Sequence, residues 1–463
     1  MREIDAEKGG SSSAADAAPR SAGGAEGVRA APRLRLIAAM IEVVGESGYV
    51  GTTVARVIER AGVSRKTFYE HFANKQACLL DASDVILADG VRRMRTAFEE
   101  ADSLRERADA AIRAVFEATI ENPGALRLSV VEVAAAGPIG VARRWQALLR
   151  FEDCIRDALE PEIEQTTVSD SVLRAIVGGL NWTLYRRVRR GEQAKLLPLV
   201  PDLVTWAISY YPAAGDDSLR SIEDSGSQAV SHPLSGGRAP GTLAPHPVLR
   251  RRRGLRRGDQ SISPVFVAHN QRERILDAVA NLTASRGYGE LRVEDIALEA
   301  AVSMHALYEH FENKEDAFLV AYEVGHSKCL TVVERAYAAE TDWRFGVRAG
   351  IAALLSFLAS EPVFAHIALI DVLTVSPQSA ERSDVGIAAF AQMLIPRPAT
   401  VDPPGVVVEA IAGGIFGLCL SYALQGRLST LTELTPVATY LALSPFLDHD
   451  EAAQIATDAP GTD

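Results

Sequence analysis

Residues 52–80 have the sequence TTVARVIERAGVSRKTFYEHFANKQACLL, in which two short helical patterns are separated by a glycine. Thr53 is a suitable N-cap for a short helix with apolar residues at helical spacing, and Gly62 supplies the tight turn that follows. Ser64 caps the next short helix, in which Phe68 and Phe72 face a small core. Two short helices joined by a glycine turn predict a helix-turn-helix.

The second of these short helices opens with polar side chains. Arg65, Lys66 and Thr67 place hydrogen-bond donors in its first turn, where a recognition helix meets base edges and phosphates. Working outward, residues 33–46 are expected to form an amphipathic helix that stops at Gly48. Lys75 is expected to open a long helix to about residue 101, followed by helices over 104–121, 124–136, 140–160, 169–190 and 196–211.

The chain contains an internal repeat. The run from Tyr69 to Lys75 recurs as the run from Tyr308 to Lys314, 239 positions later, and the Gly178-Gly179 pair recurs as Gly413-Gly414, 235 positions later. The repeated unit is far longer than the ~20 to 50 residues of a solenoid repeat. A whole domain of roughly 180 residues is therefore duplicated.

Composition separates the folded parts from the irregular ones. A chain of 463 residues is too long for one core, and its periodicity is helical with no alternating strand pattern, so the expected fold class is all-α. Residues 1–31 have no periodic apolar face and are expected to be a disordered arm. Residues 213–268 collect Ser, Gly, Pro and Arg and are expected to be a linker.

Residues 52–80 resemble the DNA-binding segment of the TetR family of bacterial transcriptional regulators. The resemblance rests on the ordered run of the opening Thr, the A-G-V-S turn, the F-Y-x-H-F helix and the N-K that follows. It implies helix-turn-helix domains over 32–92 and 269–330, helical ligand-binding and dimerisation domains over 93–212 and 331–448, and a tail over 449–463. It also implies groove-facing roles for Arg65, Lys66 and Thr67, and phosphate or backbone contacts for Thr53, Tyr69, His71 and Lys75. Tyr69 and His71 could equally be packing or helix-surface residues.

The two halves differ at the reading surface. Met304, His305 and Ala306 stand where the first half has Arg65, Lys66 and Thr67. Residues 33–75 carry seven basic and four acidic side chains, net +3, whereas residues 272–314 carry five and eight, net −3. Because phosphate contacts supply much of DNA affinity, the second motif is expected to be a weakened or lost reader. The arginine run from Arg250 to Arg257 is either a DNA-contacting arm or a solvated linker.

The helical bodies suggest a pairing surface and a pocket. The TetR resemblance implies that the last two helices of each half form a dimer interface, where the two glycine pairs would allow close helix approach. The expected pairing is an intrachain pseudodimer or a homodimer. Large aromatic residues are candidates for lining an apolar ligand pocket, although most could be plain core. They are Phe116, Trp145, Phe151, Trp182 and Tyr185 in the first half, and Trp343, Phe345, Phe364, His366, Phe390 and Phe416 in the second.

Several function classes find no support. No G-x-S-x-G, Walker or C-x-x-C motif is present, and the spacing of His305 and His310 is wrong for a zinc helix, so no enzyme, metal site or cofactor is expected. No signal peptide or uninterrupted apolar span is recognised, and a cytoplasmic location is expected. The resulting interpretation is a regulator of double-stranded operator DNA, acting as a repressor relieved by a small apolar ligand. The alternative is a duplicated ligand- or partner-binding protein that has lost DNA binding.

Overall fold

The computed structural model describes residues 23–163, 169–211, 264–397 and 402–458, and within them every regular element is helical. The all-α fold class is therefore confirmed. The described part of the first half contains nine α-helices, which are α1 (Gly23–Gly51), α2 (Val54–Ala61), α3 (Arg65–His71), α4 (Lys75–Glu99), α5 (Leu104–Glu121), α6 (Pro123–Val130), α7 (Pro138–Ile163), α8 (Asp170–Arg189) and α9 (Val200–Ile208).

The second half repeats this order and adds one helix in the part of the chain that the structure describes. Its helices are α10 (Pro264–Arg286), α11 (Val293–Ala300), α12 (Met304–His310), α13 (Lys314–Ala338), α14 (Trp343–Ser360), α15 (Pro362–Leu369), α16 (Pro377–Met393), α17 (Gly405–Leu424), α18 (Thr435–Leu443) and α19 (His449–Thr457). The helices α4, α5 and α6 match α13, α14 and α15 in length, each displaced by 239 positions. The sequence repeat is thus a structural repeat.

Some expected boundaries differ from the observed ones. α1 begins at Gly23, inside the segment expected to be disordered, and α10 begins at Pro264, inside the expected linker. Residues 449–457, expected to be part of a tail, form α19, because Ala452, Ala453 and Ile455 give it an apolar face that is buried in the core. The arginine run from Arg250 to Arg257 lies outside the described residues.

The helix expected over 124–136 is two elements. α6 ends at Val130, and a 3-10 helix spans Glu132–Ala136 before Gly137, whose φ of 78° ends it. Just before α2, Gly48 leaves helical geometry with φ 66° and ψ 170°, as the sequence predicts for a stop, although α1 resumes for one short turn beyond it.

The apolar core is divided unequally. Each helix-turn-helix unit, the reading unit of its half, comprises three helices (α1–α3 or α10–α12). Each has its own small core, centred on Phe68 in the first half and on Leu307 in the second. The helical bodies instead share one continuous core that includes buried residues of α5–α9 and of α14–α19. Because hydrophobic burial is the main favourable term in folding, the two bodies stabilise each other.

α8 and α17 form the principal contact between the halves. At Gly178 the backbones come so close that an added Cβ would lie 3.6 Å from the Cα atoms of both Gly414 and Gly417. At Gly179 an added Cβ would overlap the carbonyl oxygen of Ala410. α17 is also the single described helix long and apolar enough to cross a membrane, a feature that sequence inspection missed, and 89% of its most apolar window is buried in this packing.

Candidate nucleic-acid interface and ligand cavity

The scaffold of the first helix-turn-helix is fixed by its caps. Thr53 accepts a hydrogen bond from the backbone N–H of Arg56 at 3.3 Å, and Ser64 accepts one from that of Thr67 at 3.1 Å. Between the two helices, Gly62 takes the left-handed conformation, with φ 61° and ψ 42°, that ends α2. These local interactions set the direction in which α3 leaves the turn.

α3 exposes three of the five residues that are expected to contact DNA from this helix. Arg65 and Lys66 are exposed at its first turn, and the Lys66 side chain is 88% exposed. Tyr69 is 51% exposed, whereas His71, in the last turn, is half-buried. On the opposite face Phe68 is fully buried and anchors the helix.

Thr53 and Thr67 each use one oxygen for the scaffold. Thr53 Oγ1 is the N-cap acceptor of α2, which leaves its hydroxyl hydrogen as a donor. Thr67 Oγ1 lies 2.9 Å from Ser64 Oγ and is half-buried. Thr67 is therefore less available than its two neighbours, although all three open the same helix.

The structure places Lys75 differently from the expectation. Its Nζ donates to the carbonyl oxygens of Tyr49 at 3.0 Å and Thr52 at 2.9 Å, and it lies 4.0 Å from the centre of the Tyr49 ring. Burial lowers the pKa of this ammonium. Lys314 makes the same contacts with Tyr288 and Leu291 in the second half, so this lysine is a clamp of the scaffold.

The second unit keeps this scaffold with a different surface. Ala301 takes the position of Gly62 with φ 51°, and among the described residues it is the one non-glycine with positive φ. Arg292 stands where Thr53 caps α2 and makes no capping hydrogen bond. The surface of α12 carries His305, whose Nε2 lies 3.2 Å from Glu309, while the neighbouring α11 exposes Leu298.

A contact that sequence reasoning missed joins the first helical body to its reading unit. Glu132, in the 3-10 helix after α6, accepts a hydrogen bond from the backbone N–H of Tyr49 at 2.9 Å and pairs with Arg127 at 3.0 Å. Tyr49 is thus held by Glu132 on one side and by Lys75 on the other. The repeat contained a signal, because Asp371 is the equivalent residue, but its shorter side chain pairs with His366 at 2.8 Å.

A cavity of about 330 Å³ lies inside the first helical body, and its walls are mainly aliphatic and aromatic. Of the proposed pocket residues, Phe116 and Phe151 line it. Trp145, Trp182 and Tyr185 do not. They surround a separate space of about 40 Å³ where the first body meets the second, and Trp182 contacts Phe416 at 5.3 Å between ring centres.

The second body contains a smaller cavity of about 110 Å³, lined by Phe364, Phe390 and Phe416 among others. The remaining candidates there have other roles. Trp343 packs against Phe446 with ring centres 6.1 Å apart, Phe345 is 38% exposed, and His366 is paired with Asp371. These three residues are therefore not pocket residues.

Charged and polar groups also cross between the halves. Arg186 lies 3.0 Å from Glu409, and Arg189 pairs with the buried Asp384. Burial raises the pKa of Asp384, and the arginines of α8 oppose that rise. Tyr210, fully buried, donates to the carbonyl oxygen of Leu441 at 2.8 Å. Because each of these buried charges faces an opposite charge, pairing offsets part of the cost of removing it from water.

Within the residues that the structure describes, no group of three or more His, Cys, Asp or Glu side chains is arranged to hold a metal ion. The four cysteines are all buried free thiols. No described residue therefore suggests a disulfide framework.

Comparison with known proteins identifies the repeated unit. Residues 36–82 and 275–321 each match the model for bacterial regulatory proteins of the tetR family. A segment of 66 residues is 29% identical to the uncharacterized HTH-type transcriptional regulator YerO of Bacillus subtilis, covering 14% of this chain and 23% of that protein. A segment of 105 residues is 29% identical to the HTH-type transcriptional activator FasR of Mycolicibacterium smegmatis, covering 23% of this chain and 46% of that protein. The chain thus matches less than half the length of either relative.

Two solved structures are similar to part of this chain at lower sequence identity. The transcriptional regulator FadR from Bacillus subtilis, solved in complex with stearoyl-CoA, is 19% identical, covers 38% of this chain and 98% of its own, and has a TM-score of 0.35. A TetR family transcription regulator from Marinobacter aquaeolei is 17% identical, covers 40% of this chain and 98% of its own, and has a TM-score of 0.33.

Proposed function

The chain is a TetR-family protein with two of the family's DNA-binding domains in tandem, and we propose that it is a transcriptional regulator that reads its operator mainly through α3. One observation carries the proposal. Arg65 and Lys66 stand exposed at the capped start of α3, on a scaffold whose 33–75 window has a net charge of +3. Arginine and lysine at such a position fit guanine edges and phosphates in a major groove.

The neighbouring side chains take supporting roles. Thr53 and Tyr69 have a free donor or an exposed ring and fit backbone contacts, and His71 fits a contact at the end of α3. Thr67 fits a contact made through its hydroxyl, which also lies within hydrogen-bond distance of the Ser64 hydroxyl. Lys75 is assigned to holding Tyr49 in place, so its effect on DNA is indirect.

A footprint of the purified protein on fragments of its own genomic neighbourhood tests this function. We expect a short or asymmetric protected region, because one reading helix dominates. A palindromic footprint would mean that two chains present two copies of α3. Absence of any footprint at low salt would contradict DNA reading and favour a duplicated ligand- or partner-binding protein.

The two halves of one chain take the place of two subunits in this proposal. The close contact of α8 with α17, the paired glycines and the Tyr210 hydrogen bond support an intrachain pseudodimer. In this pseudodimer the second helix-turn-helix, whose 272–314 window has a net charge of −3, helps to orient the protein on DNA and adds little to its affinity for DNA. Association of two whole chains is the alternative.

Regulation is proposed to come from a small apolar ligand in the first body. The cavity of about 330 Å³ falls within the usual range for ligand sites and has apolar walls. A ligand that binds one arrangement of the reading units better than the other shifts the population toward it. We propose that the protein represses transcription by occupying its operator and that the ligand relieves this repression. The proposed location is the cytoplasm. In vitro transcription from the footprinted promoter distinguishes repression from activation.

A further inference from the structure

The two cavities occupy equivalent places in the two bodies. Lining residues of the larger cavity correspond to lining residues of the smaller one at the repeat offset of 239, as Gly90 does to Cys329, Val115 to Leu354 and Phe151 to Phe390. The same holds for α8 and α17 at the offset of 235, where Asn181 corresponds to Phe416. The two spaces are therefore copies of one ancestral cavity, with volumes of about 330 and 110 Å³.

Two residues differ between the halves where the walls of the two cavities correspond. α6 and α15 both begin with a proline, and three positions into each helix the first half has Ala125 where the second has Phe364. The Phe364 ring lies against Gly325 so closely that a Cβ on this glycine would overlap it. In the first half the residue equivalent to Gly325 is Ile86, which lines the open cavity beside Ala125. In the second half Phe364 is thus a plug that fills this space, and Gly325 is the seat that leaves room for its ring.

Other aromatic residues reinforce this plug. Tyr322 replaces Ser83, and its ring stacks on that of His326 with centres 5.6 Å apart. The ring centre of Phe364 lies 6.4 Å from that of Tyr322 and 5.8 Å from that of Phe357. Burial lowers the pKa of His326, which favours its neutral form among these rings. Space that is open in the first body is filled here by packed side chains.

We propose that ligand control resides in the first half alone and that Phe364 seated on Gly325 closes the second half to ligand. The inference rests on the proposed ligand control and specifies where it acts. The ligand class is an apolar molecule of drug-like size, because the open cavity is of that size and its lining is mainly aliphatic. The second body then serves as a rigid partner for the first, across the shared core.

Titration of the full chain with the apolar fluorophore N-phenyl-1-naphthylamine tests the assignment. We expect one bound probe per chain. The double change Ile86→Gly with Ala125→Phe transplants the plug and its seat into the first half, and saturable binding should be lost. The change Phe364→Ala should raise the stoichiometry to two, and Phe364→Leu offers a milder opening should the alanine variant unfold.

The outcomes separate this inference from the DNA-binding proposal. Two probes per wild-type chain, no bound probe, or one probe that survives the transplanted plug in a folded protein would each overturn the assignment to the first half. DNA binding of the same variants without probe, measured by footprinting, reports on the operator proposal independently. Circular dichroism melting of each variant identifies those that are folded.

Discussion

At the scale of single residues, the two halves differ most where α3 and α12 begin. Arg65, Lys66 and Thr67 on one side and Met304, His305 and Ala306 on the other follow serine caps with nearly the same backbone angles. The backbone therefore presents both sets in the same way, and side-chain chemistry alone distinguishes them. DNA affinity should follow that chemistry.

Replacing the two cations of α3 tests this distinction. We expect Arg65→Ala with Lys66→Ala to weaken operator binding by at least about 30-fold, because a base-edge contact is worth ~1 to 3 kcal/mol and a phosphate contact contributes to the salt slope. The matched control, Met304→Ala with His305→Ala, should change binding less than about threefold. Mobility-shift titrations at two salt concentrations measure both variants. Equal losses from the two double changes would contradict the asymmetry.

The turn residue offers a matched pair of stability tests. Gly62 and Ala301 both lie in the left-handed region, where a Cβ costs ~1 to 2 kcal/mol. Gly62→Ala should therefore lower the free energy of unfolding by about 1 kcal/mol, and Ala301→Gly should raise it by up to about 1 kcal/mol, the gain being reduced by the greater freedom of glycine in the unfolded chain. Urea unfolding measures both, and shifts of the same sign would rule out the strain argument.

At the scale of elements, the close approach of α8 and α17 depends on glycine. The carbonyl oxygen of Ala175 would lie 2.6 Å from a Cβ placed at Gly414, and Gly179 is equally closed on the other side. Neither helix can carry a side chain there without moving away from its partner. The inter-half core would then lose packing along the whole contact.

A valine at Gly179 should therefore destabilise the protein by about 3 kcal/mol or more, since overpacking would separate two helices of the shared core. Gly405→Ala is the control on the partner helix, because no atom lies within 4 Å of an added Cβ there. It should be neutral or slightly stabilising. Thermal unfolding followed by circular dichroism gives the comparison, and a neutral Gly179→Val would mean that the helices are not held this closely.

A second element-scale feature is the step from α6 to the 3-10 helix. At this step Glu132 lies within hydrogen-bond distance of the backbone N–H of Tyr49, whose carbonyl oxygen accepts from Lys75. Because α6 also lines the first cavity, these contacts connect the cavity wall to the turn before α2. In the second half Asp371 pairs with His366 instead. The contact that Glu132 makes with Tyr49 in the first half is therefore not repeated by Asp371 in the second.

At the scale of the whole molecule, one core unites the two bodies, and each reading unit keeps a small core of its own. The apolar surfaces of α8 and α17 that would mediate pairing between chains are already covered within one chain. Arg189 and Arg186 of α8 pair with Asp384 and Glu409 across the same contact. This arrangement is the basis of the proposed intrachain pseudodimer.

A chain that pairs internally should be monomeric. Light scattering coupled to size exclusion should give a mass near 49.7 kDa for the purified protein over a range of concentrations. The first half expressed alone would expose the face of α8 that packs against α17. It should associate or aggregate, because large exposed apolar patches promote contact between molecules. A concentration-independent dimer of the full chain would contradict the pseudodimer and support pairing of two whole chains.

The all-α class, the duplication and the two helix-turn-helix units could be predicted from the sequence, because caps, turn glycines and apolar periodicity act over a few residues. It also located the difference between Arg65-Lys66-Thr67 and Met304-His305-Ala306, since equivalent positions follow from the repeat. The family match over 36–82 and 275–321 confirms the two helix-turn-helix units.

The sequence could not show which aromatic residues surround a cavity and which join the halves, because this depends on how distant helices pack. Trp182 and Tyr185 have the helical spacing of pocket residues, yet α17 of the other half covers them. Lys75 resembles a phosphate contact in sequence, but carbonyl groups 23 and 26 residues away hold its ammonium. Cavities and such contacts depend on atoms brought together from distant parts of the chain, and local periodicity carries no information about that distance.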